Sequence, residues 1–125
     1  MTTLLYVEDD EDSIYMLSNR LQREGFDVLV ARNGREGLDL AHDQRPDLII
    51  LDLVLPEMDG FETARRLRAS QATAGIPIVA LSASVLPEHR HRAIDAGCDD
   101  FEIKPVEFSR LLEKIGGLLS DAGRE

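Results

Sequence analysis

The sequence predicts an α/β protein with a doubly wound, five-stranded parallel sheet and five helices. Short runs of apolar residues alternate along the chain with segments of helical periodicity, and residues typical of helix caps stand between them. Right-handed crossovers with helices on both faces of the sheet favour the strand order 2-1-3-4-5. In that order the carboxyl ends of strands 1 and 3 are neighbours, and ligands of such sheets bind beside these ends.

Each predicted strand is short and rich in branched or aromatic residues, which fit the pleated surface of a sheet. The third is apolar throughout, as expected for a parallel strand that is buried on both faces. The five predicted strands are about Thr3–Val7, Val28–Ala31, Leu48–Leu51, Ile76–Leu81 and Asp100–Ile103.

Helices are predicted between the strands because apolar residues recur there on one face. Polar capping residues, a proline at a first helical position and glycines past helix ends mark the boundaries. The first four helices are predicted to begin after Asp12-Ser13, after Asn33, at about Gly60 and at Pro87, and the first and fourth to end at Gly25 and Gly97. The fifth carries one apolar stripe, which consists of Phe108, Leu111, Leu112, Ile115 and Leu119.

The chain of 125 residues is long enough for one domain with a sizeable core and too short for two. We assign residues 1–120 to this domain and residues 121–125 to a short polar tail. The single cysteine, Cys98, excludes an internal disulfide and a multi-cysteine metal site, and we expect it to be a small packing residue. No segment has membrane-spanning length or the pattern of a signal sequence, so a cytoplasmic protein without membrane contact is expected.

Acidic residues outnumber basic ones, 24 against 14, and the formal net charge is −10. Most of such a surface would repel nucleic acid, so direct DNA or RNA binding is not expected. The one locally basic stretch, His89–Arg92, is predicted to dock a partner protein. His89 and His91 are two residues apart on a helix, cannot form an i, i+4 metal pair and are predicted as surface residues.

Four predicted strand ends carry charged or polar side chains. Asp52 follows strand 3, Glu8-Asp9 follows strand 1, Ser82 follows strand 4 and Lys104 follows strand 5. Three carboxylates at one edge of a sheet repel one another unless a cation lies among them or one is protonated. Mg²⁺ suits such a site because it is a hard ion that takes oxygen ligands and keeps several waters. The ammonium and the hydroxyl would stabilise a phosphoryl group on Asp52.

These strand ends resemble the signatures of response-regulator receiver domains of two-component signalling. Val7–Asp10 resembles the acidic pair of that family, and Leu51–Gly60 resembles its phosphoacceptor loop. Leu81–Ala83 and Lys104-Pro105 resemble the other two signatures, at matching separations from Asp52. The resemblance covers essentially the whole chain.

The resemblance implies a metal-assisted phosphoacceptor site. Asp52 would attack the phosphoryl group of a phosphohistidine on a partner and become an aspartyl phosphate. Asp9 and Asp52 would ligate Mg²⁺ directly, Glu8 would act through water, and the backbone carbonyl of Val54 would complete the protein ligands. Mn²⁺ could take the same place.

The resemblance also implies how phosphorylation would change the surface of the protein. Lys104 would neutralise the phosphoryl charge, aimed into the site by a cis Lys104-Pro105 peptide bond. Ser82 would swing toward the phosphoryl oxygens and Phe101 would move inward behind it, which remodels the face formed by helix 4, strand 5 and helix 5. Val54 and Ser84 would tune the rate of dephosphorylation.

Three functions remain open on the sequence alone. The first is a signalling switch that catalyses its own phosphorylation and dephosphorylation, and the second is a Mg²⁺-dependent hydrolase with an aspartyl-phosphate intermediate. Such hydrolases usually need a second acid two residues after the nucleophile, where this chain has Val54. The third, a constitutive binding module, is disfavoured because every expected site residue is present.

The resemblance implies a sensor histidine kinase or a histidine phosphotransfer protein as phosphodonor, and a downstream protein effector. We expect a monomer or weak dimer. Met1 directly precedes strand 1 and the chain ends soon after helix 5, which favours a stand-alone regulator over a receiver fragment of a hybrid kinase.

Overall fold

The computed structural model describes residues 1–122, in which five parallel strands alternate with five helices. The strands are β1 (Thr3–Val7), β2 (Asp27–Ala31), β3 (Leu48–Asp52), β4 (Ile78–Ser82) and β5 (Asp100–Ile103). The helices are α1 (Glu11–Arg23), α2 (Gly34–Gln44), α3 (Gly60–Ala69), α4 (Pro87–Asp95) and α5 (Phe108–Ala122). The strand order is β2-β1-β3-β4-β5, the flavodoxin-like order, so the predicted fold class is confirmed.

The sheet separates two apolar layers because successive strand residues point to opposite faces. On β1, Leu4 and Tyr6 belong to the layer that packs against α1 and α5, whereas Leu5 and Val7 belong to the layer against α2, α3 and α4. β3 lies in the middle of the sheet and is buried along its whole length. This central position fixes the place where β3 ends.

The start of α1 differs from the prediction. Asp10, two residues before the predicted Asp12-Ser13, is the N-cap: its Oδ2 accepts hydrogen bonds from the Ser13 amide at 2.9 Å and from the Ser13 hydroxyl at 2.7 Å. The helix therefore begins at Glu11, and two acids lie in its first turn, where the helix dipole favours negative charge.

The predicted starts of α2, α3 and α4 and the predicted ends of α1 and α4 agree with the structure. Asn33 caps α2, α3 begins at Gly60 and α4 begins at Pro87. Gly25 and Gly97 follow α1 and α4 with φ of +97° and +112°, a left-handed conformation that glycine adopts without a steric penalty.

The start of β4 and the end of α5 differ from the prediction. β4 begins at Ile78 rather than Ile76, because the Ile76 amide is bonded to Thr73 in a turn and Pro77 has no N–H for a sheet ladder. Helix α5 continues past Ser120 to Ala122, and residues 123–125 of the predicted tail lie outside the described residues. Among residues 1–122, no helix has the length and apolar character that crossing a bilayer requires.

Candidate functional site

Asp52 ends β3 at the carboxyl edge of the sheet, where the residue is only 5% exposed. The four preceding residues, Leu48–Leu51, are fully buried in the two apolar layers and so hold the strand end in place. Asp52 Oδ1 accepts a hydrogen bond from the Val54 amide at 3.1 Å, and Oδ2 accepts one from the Lys104 ammonium at 2.9 Å. A buried carboxylate needs such donors because burial removes its hydration.

Glu8 follows β1 and is 1% exposed. Its Oε2 accepts hydrogen bonds from the backbone amides of Asp9 and Asp10 at 3.1 and 3.3 Å, and its Oε1 accepts one from the Lys104 ammonium at 2.8 Å. Burial and the nearby Asp52 carboxyl raise the pKa of Glu8, and the lysine only partly offsets them. The raised pKa shows that one ammonium does not fully offset the burial of Glu8 beside a second carboxyl group.

Tyr6 is a site residue that the sequence analysis missed. Its hydroxyl donates a hydrogen bond to Glu8 Oε1 at 3.3 Å, and its ring is buried in the layer beneath α1 and α5. Burial, and then the charge of Glu8, raise the pKa of Tyr6, so the hydroxyl remains a donor. Strand alternation was an available signal, since residues two apart point to the same face.

Lys104 follows β5 and closes the site from the far side. The Lys104-Pro105 peptide bond is cis, and the Lys104 amide donates to the Ser82 carbonyl at 2.8 Å. Burial lowers the pKa of the ammonium, but its hydrogen bonds to Glu8 and Asp52 outweigh burial, so the net pKa is raised. The lysine is therefore charged at neutral pH and holds the two carboxylates together.

Three carboxylates meet at this edge in an arrangement that fits a divalent cation. Glu8, Asp9 and Asp52 each offer one oxygen, and these oxygens all lie within 4.8 Å of one another. A donor set made only of oxygens suits Mg²⁺. Asp9 is exposed whereas the other two are buried, so an ion would reach the cluster from the side of Asp9.

Ser82 ends β4, next to β3, and is buried. Its Oγ accepts a hydrogen bond from the Ser84 amide at 3.1 Å, and Ser84 Oγ lies 2.5 Å from His89 Nδ1. The predicted surface position is therefore wrong for His89, which is half-buried and hydrogen-bonded, and right for His91, which is exposed. The bond between Ser84 and His89 depends on the path of the loop between β4 and α4, which the sequence pattern does not specify.

Phe101 is buried in this structure. The side chain is 4% exposed and packs in the layer against α2, α3 and α4. The movement expected of Phe101 on phosphorylation stays a prediction. A phenylalanine has no hydroxyl that would favour a solvent-facing position, and burial of its ring is favourable.

The sequence matches the family model of the response regulator receiver domain over residues 4–116. The polar-differentiation response regulator DivK of Brucella anthropi is 33% identical over 120 residues, which cover 96% of this chain and 98% of that protein. The receiver domain of a signal transduction histidine kinase from Syntrophus aciditrophicus has a TM-score of 0.92 and 34% identity, covering 100% of this chain and 95% of that one.

The receiver domain of the sensor histidine kinase PA1611 from Pseudomonas aeruginosa PAO1 is also similar. It has a TM-score of 0.89 and 28% identity, and the match covers 95% of this chain and 98% of that one. In that structure a magnesium ion is coordinated in the active site cleft.

Proposed function

This chain belongs to the response regulator receiver domains of two-component signalling, and from that membership we propose that it is a phosphorylation-controlled switch with Asp52 as phosphoacceptor. The observation that carries the proposal is the Lys104 ammonium, which joins the buried Asp52 and Glu8 carboxylates at 2.9 and 2.8 Å. A nucleophilic carboxylate at a strand end, beside a fixed cation and an acidic cluster, is the arrangement that phosphoryl transfer needs.

In the proposed reaction a carboxylate oxygen of Asp52 attacks the phosphorus of a phosphohistidine on a partner protein. The new O–P bond replaces the P–N bond, and the imidazole leaves. Lys104 stabilises charge on the transferred group, and Ser82 offers a hydroxyl to its oxygens. No general base is required, because a carboxylate nucleophile has no proton that a base would have to remove.

The residues that would hold Mg²⁺ are Asp9 and Asp52 through their carboxylates, Glu8 through water and Val54 through its backbone carbonyl, and Mn²⁺ could replace the ion. A bound divalent ion would supply positive charge for the phosphoryl oxygens. The site residues fit this role because their donors are oxygens and their charge is only partly balanced. Val54, with a side chain 73% exposed, and Ser84 would tune the rate at which water removes the phosphoryl group.

The partners in this proposal are a cytoplasmic histidine kinase or histidine phosphotransfer protein as donor, and a protein effector on the face of α4, β5 and α5. Of the basic stretch His89–Arg92, Arg90, His91 and Arg92 are exposed. Arg92 lies 3.9 Å above the ring of Phe61, and His89 is bonded to Ser84. An acidic effector surface would therefore meet mainly Arg90 and His91.

The test is a measurement of intact mass after incubation with Mg²⁺ and acetyl phosphate. The wild-type chain should gain one phosphoryl group, and Asp52→Asn should gain none because the amide is not a nucleophile. Asp12→Asn, which removes the same charge from the exposed first turn of α1, is the matched control and should behave as wild type.

Two results would contradict the proposal. The first is an adduct that persists in Asp52→Asn, and the second is the absence of any adduct in the wild-type chain with either acetyl phosphate or a phosphohistidine donor. Repeated turnover of a phosphate monoester, beyond one phosphoryl group per chain, would favour the hydrolase instead.

A further inference from the structure

We infer that His89 is a positioning residue for the switch: through Ser84 it holds the Ser82 hydroxyl in the arrangement of the unphosphorylated chain. The inference rests on the proposed function, in which Ser82 turns toward a phosphoryl group on Asp52. His89 does not touch Asp52, and it acts only through the loop between β4 and α4.

A continuous set of hydrogen bonds joins Ser82 to the first turn of α4. The Ser84 amide donates to Ser82 Oγ at 3.1 Å. Ser84 Oγ accepts a hydrogen bond from the Leu86 amide at 3.2 Å and lies 2.5 Å from His89 Nδ1. The path from the switch hydroxyl to the imidazole therefore contains one intermediate residue, Ser84.

The imidazole is well placed to hold this loop. His89 lies in the first turn of α4, its amide donates to the Leu86 carbonyl at 3.1 Å, and its side chain is half-buried. Leu86 is the N-cap residue of α4 and has no side-chain capping hydrogen bond, so the Ser84 hydroxyl ties the loop to the helix instead. A hydroxyl can donate to a bare Nδ1 or accept from a protonated one, so either tautomer allows the bond.

This geometry makes His89 oppose the switching movement. To face a phosphoryl group, the Ser82 hydroxyl must release the Ser84 amide, and the loop that carries Ser84 must move. Loss of the hydrogen bond between His89 and Ser84 should raise the equilibrium constant for that movement by about fivefold. This is the factor that corresponds to one hydrogen bond of ordinary net strength.

The first experiment uses the unphosphorylated chain and measures amide hydrogen exchange by NMR. In His89→Ala, the Ser84 amide should exchange about fivefold faster than in wild type, and the side-chain rotamer populations of Ser82 should change. His89→Asn should restore both readouts, because an asparagine can place a polar atom near the position of Nδ1. His42→Ala, the matched control at an exposed histidine of α2, should match wild type. An unchanged Ser84 amide in His89→Ala would overturn the inference.

The second experiment measures the affinity for beryllofluoride, a mimic of the phosphoryl group, in the presence of Mg²⁺. His89→Ala should bind it about fivefold more tightly than wild type, and the control His42→Ala should bind it as wild type does. Because His89 acts through Ser84, adding His89→Ala to Ser84→Ala should give no further gain. Equal affinities of His89→Ala and wild type would refute the positioning role. Absence of binding in every variant would instead contradict the proposed function, and the exchange measurement alone would then decide the role of His89.

Discussion

At the scale of single residues, the Lys104 ammonium is shared between two buried carboxylates, Glu8 at 2.8 Å and Asp52 at 2.9 Å. One cation between two acids leaves a net negative charge in a place with little water. A buried ion pair is costly to assemble, whereas removal of one partner costs about 3–5 kcal/mol because a charge is left alone. The lysine therefore stabilises the fold and the site together, and a divalent ion would complete the balance.

Tyr6 gives the first prediction at this scale. Tyr6→Phe keeps the buried ring and removes the hydroxyl that donates to Glu8, so the free energy of unfolding should fall by about 1 kcal/mol. Urea unfolding followed by circular dichroism measures the change. Tyr15→Phe is the control, since Tyr15 is 72% exposed on α1 and its substitution should leave stability unchanged. Equal effects of the two substitutions would show that the bond to Glu8 does not contribute.

Cys98 gives a prediction of pH dependence. Burial raises the pKa of this thiol from 9.0 to about 12, so the folded chain holds its proton where the unfolded chain loses it. The protonated thiol therefore contributes its full share to the free energy of unfolding below pH 9.0, and this contribution is lost as the pH rises toward 12. Urea unfolding should show a steeper loss of stability above pH 9 for wild type than for Cys98→Ala. Parallel curves for the two proteins would contradict the assignment.

The residues at the strand ends could be predicted from the sequence, whereas the hydrogen bonds that Tyr6 and His89 make were not predicted. Asp52, Glu8 and Lys104 stand directly after apolar runs, and parallel strands bring their carboxyl ends to one edge. The hydrogen bond from Tyr6 to Glu8 can be predicted only if the alternation of side chains along β1 is extended to the residue that follows the strand. The bond from His89 to Ser84 could not be found in this way, because an irregular loop has no period.

At the scale of secondary-structure elements, Arg68 links the end of α3 to two loops. Its guanidinium donates to the carbonyls of Gly97, Ala74 and Ile76 at 2.8, 3.0 and 2.6 Å, and to the Asp99 carboxylate at 2.5 Å. The loop before β4 and the turn between α4 and β5 are therefore fixed to the same side chain. Charge-assisted bonds of this kind are stronger than those between neutral groups.

Gly97 gives the prediction for this scale. It has φ of +112°, and a Cβ there would lie 2.4 Å from Arg68 Cγ. Gly97→Ala should lower the free energy of unfolding by about 2 kcal/mol, from backbone strain and displacement of the arginine. Gly116→Ala in α5 is the control: nothing lies within 4 Å of its added Cβ, and stability should rise by about 0.5–1 kcal/mol. Urea unfolding of both variants measures these changes, and a neutral Gly97→Ala would contradict the interpretation.

Element boundaries could be predicted where one residue type suits the position, as with Pro87 and Gly97. The start of α1 could not, because Asp10, Asp12 and Ser13 are all good capping residues and stand almost together. Which of them caps the helix depends on where the chain leaves β1, and that is fixed by the pairing of β1 with β2 and β3.

At the scale of the whole molecule, the proposed Mg²⁺ site predicts that stability depends on the ion. An ion that binds only the folded chain should stabilise it by about 2.7 kcal/mol at a hundredfold excess over its dissociation constant. Thermal unfolding with Mg²⁺, with chelator and with NaCl of equal ionic strength measures the effect. Asp9→Asn should abolish most of it and Asp12→Asn should not. Equal stabilisation by NaCl would mean that only general screening of the net charge of −10 is involved.

The global topology was predictable because it follows from rules about handedness and layers rather than from side-chain detail. Helical and strand periods alternate five times, and right-handed crossovers leave few strand orders. The two apolar layers then follow from alternation along the strands, as Leu4 and Leu5 illustrate by lying on opposite faces of β1. The buried position of Phe101 was not predicted, because sequence patterns do not show whether its buried or its solvent-facing position is more stable.

Lys104 and Glu8, whose side chains meet at 2.8 Å, are 96 positions apart in the chain, and Lys104 and Asp52 are 52 apart. During synthesis both acids therefore leave the ribosome well before the ammonium that joins them. A nascent chain that has released β1 to β4 carries the acids of the site without their cation. It follows that a growing polypeptide lacks the complete site of the finished domain until the segment that carries Lys104 has been released.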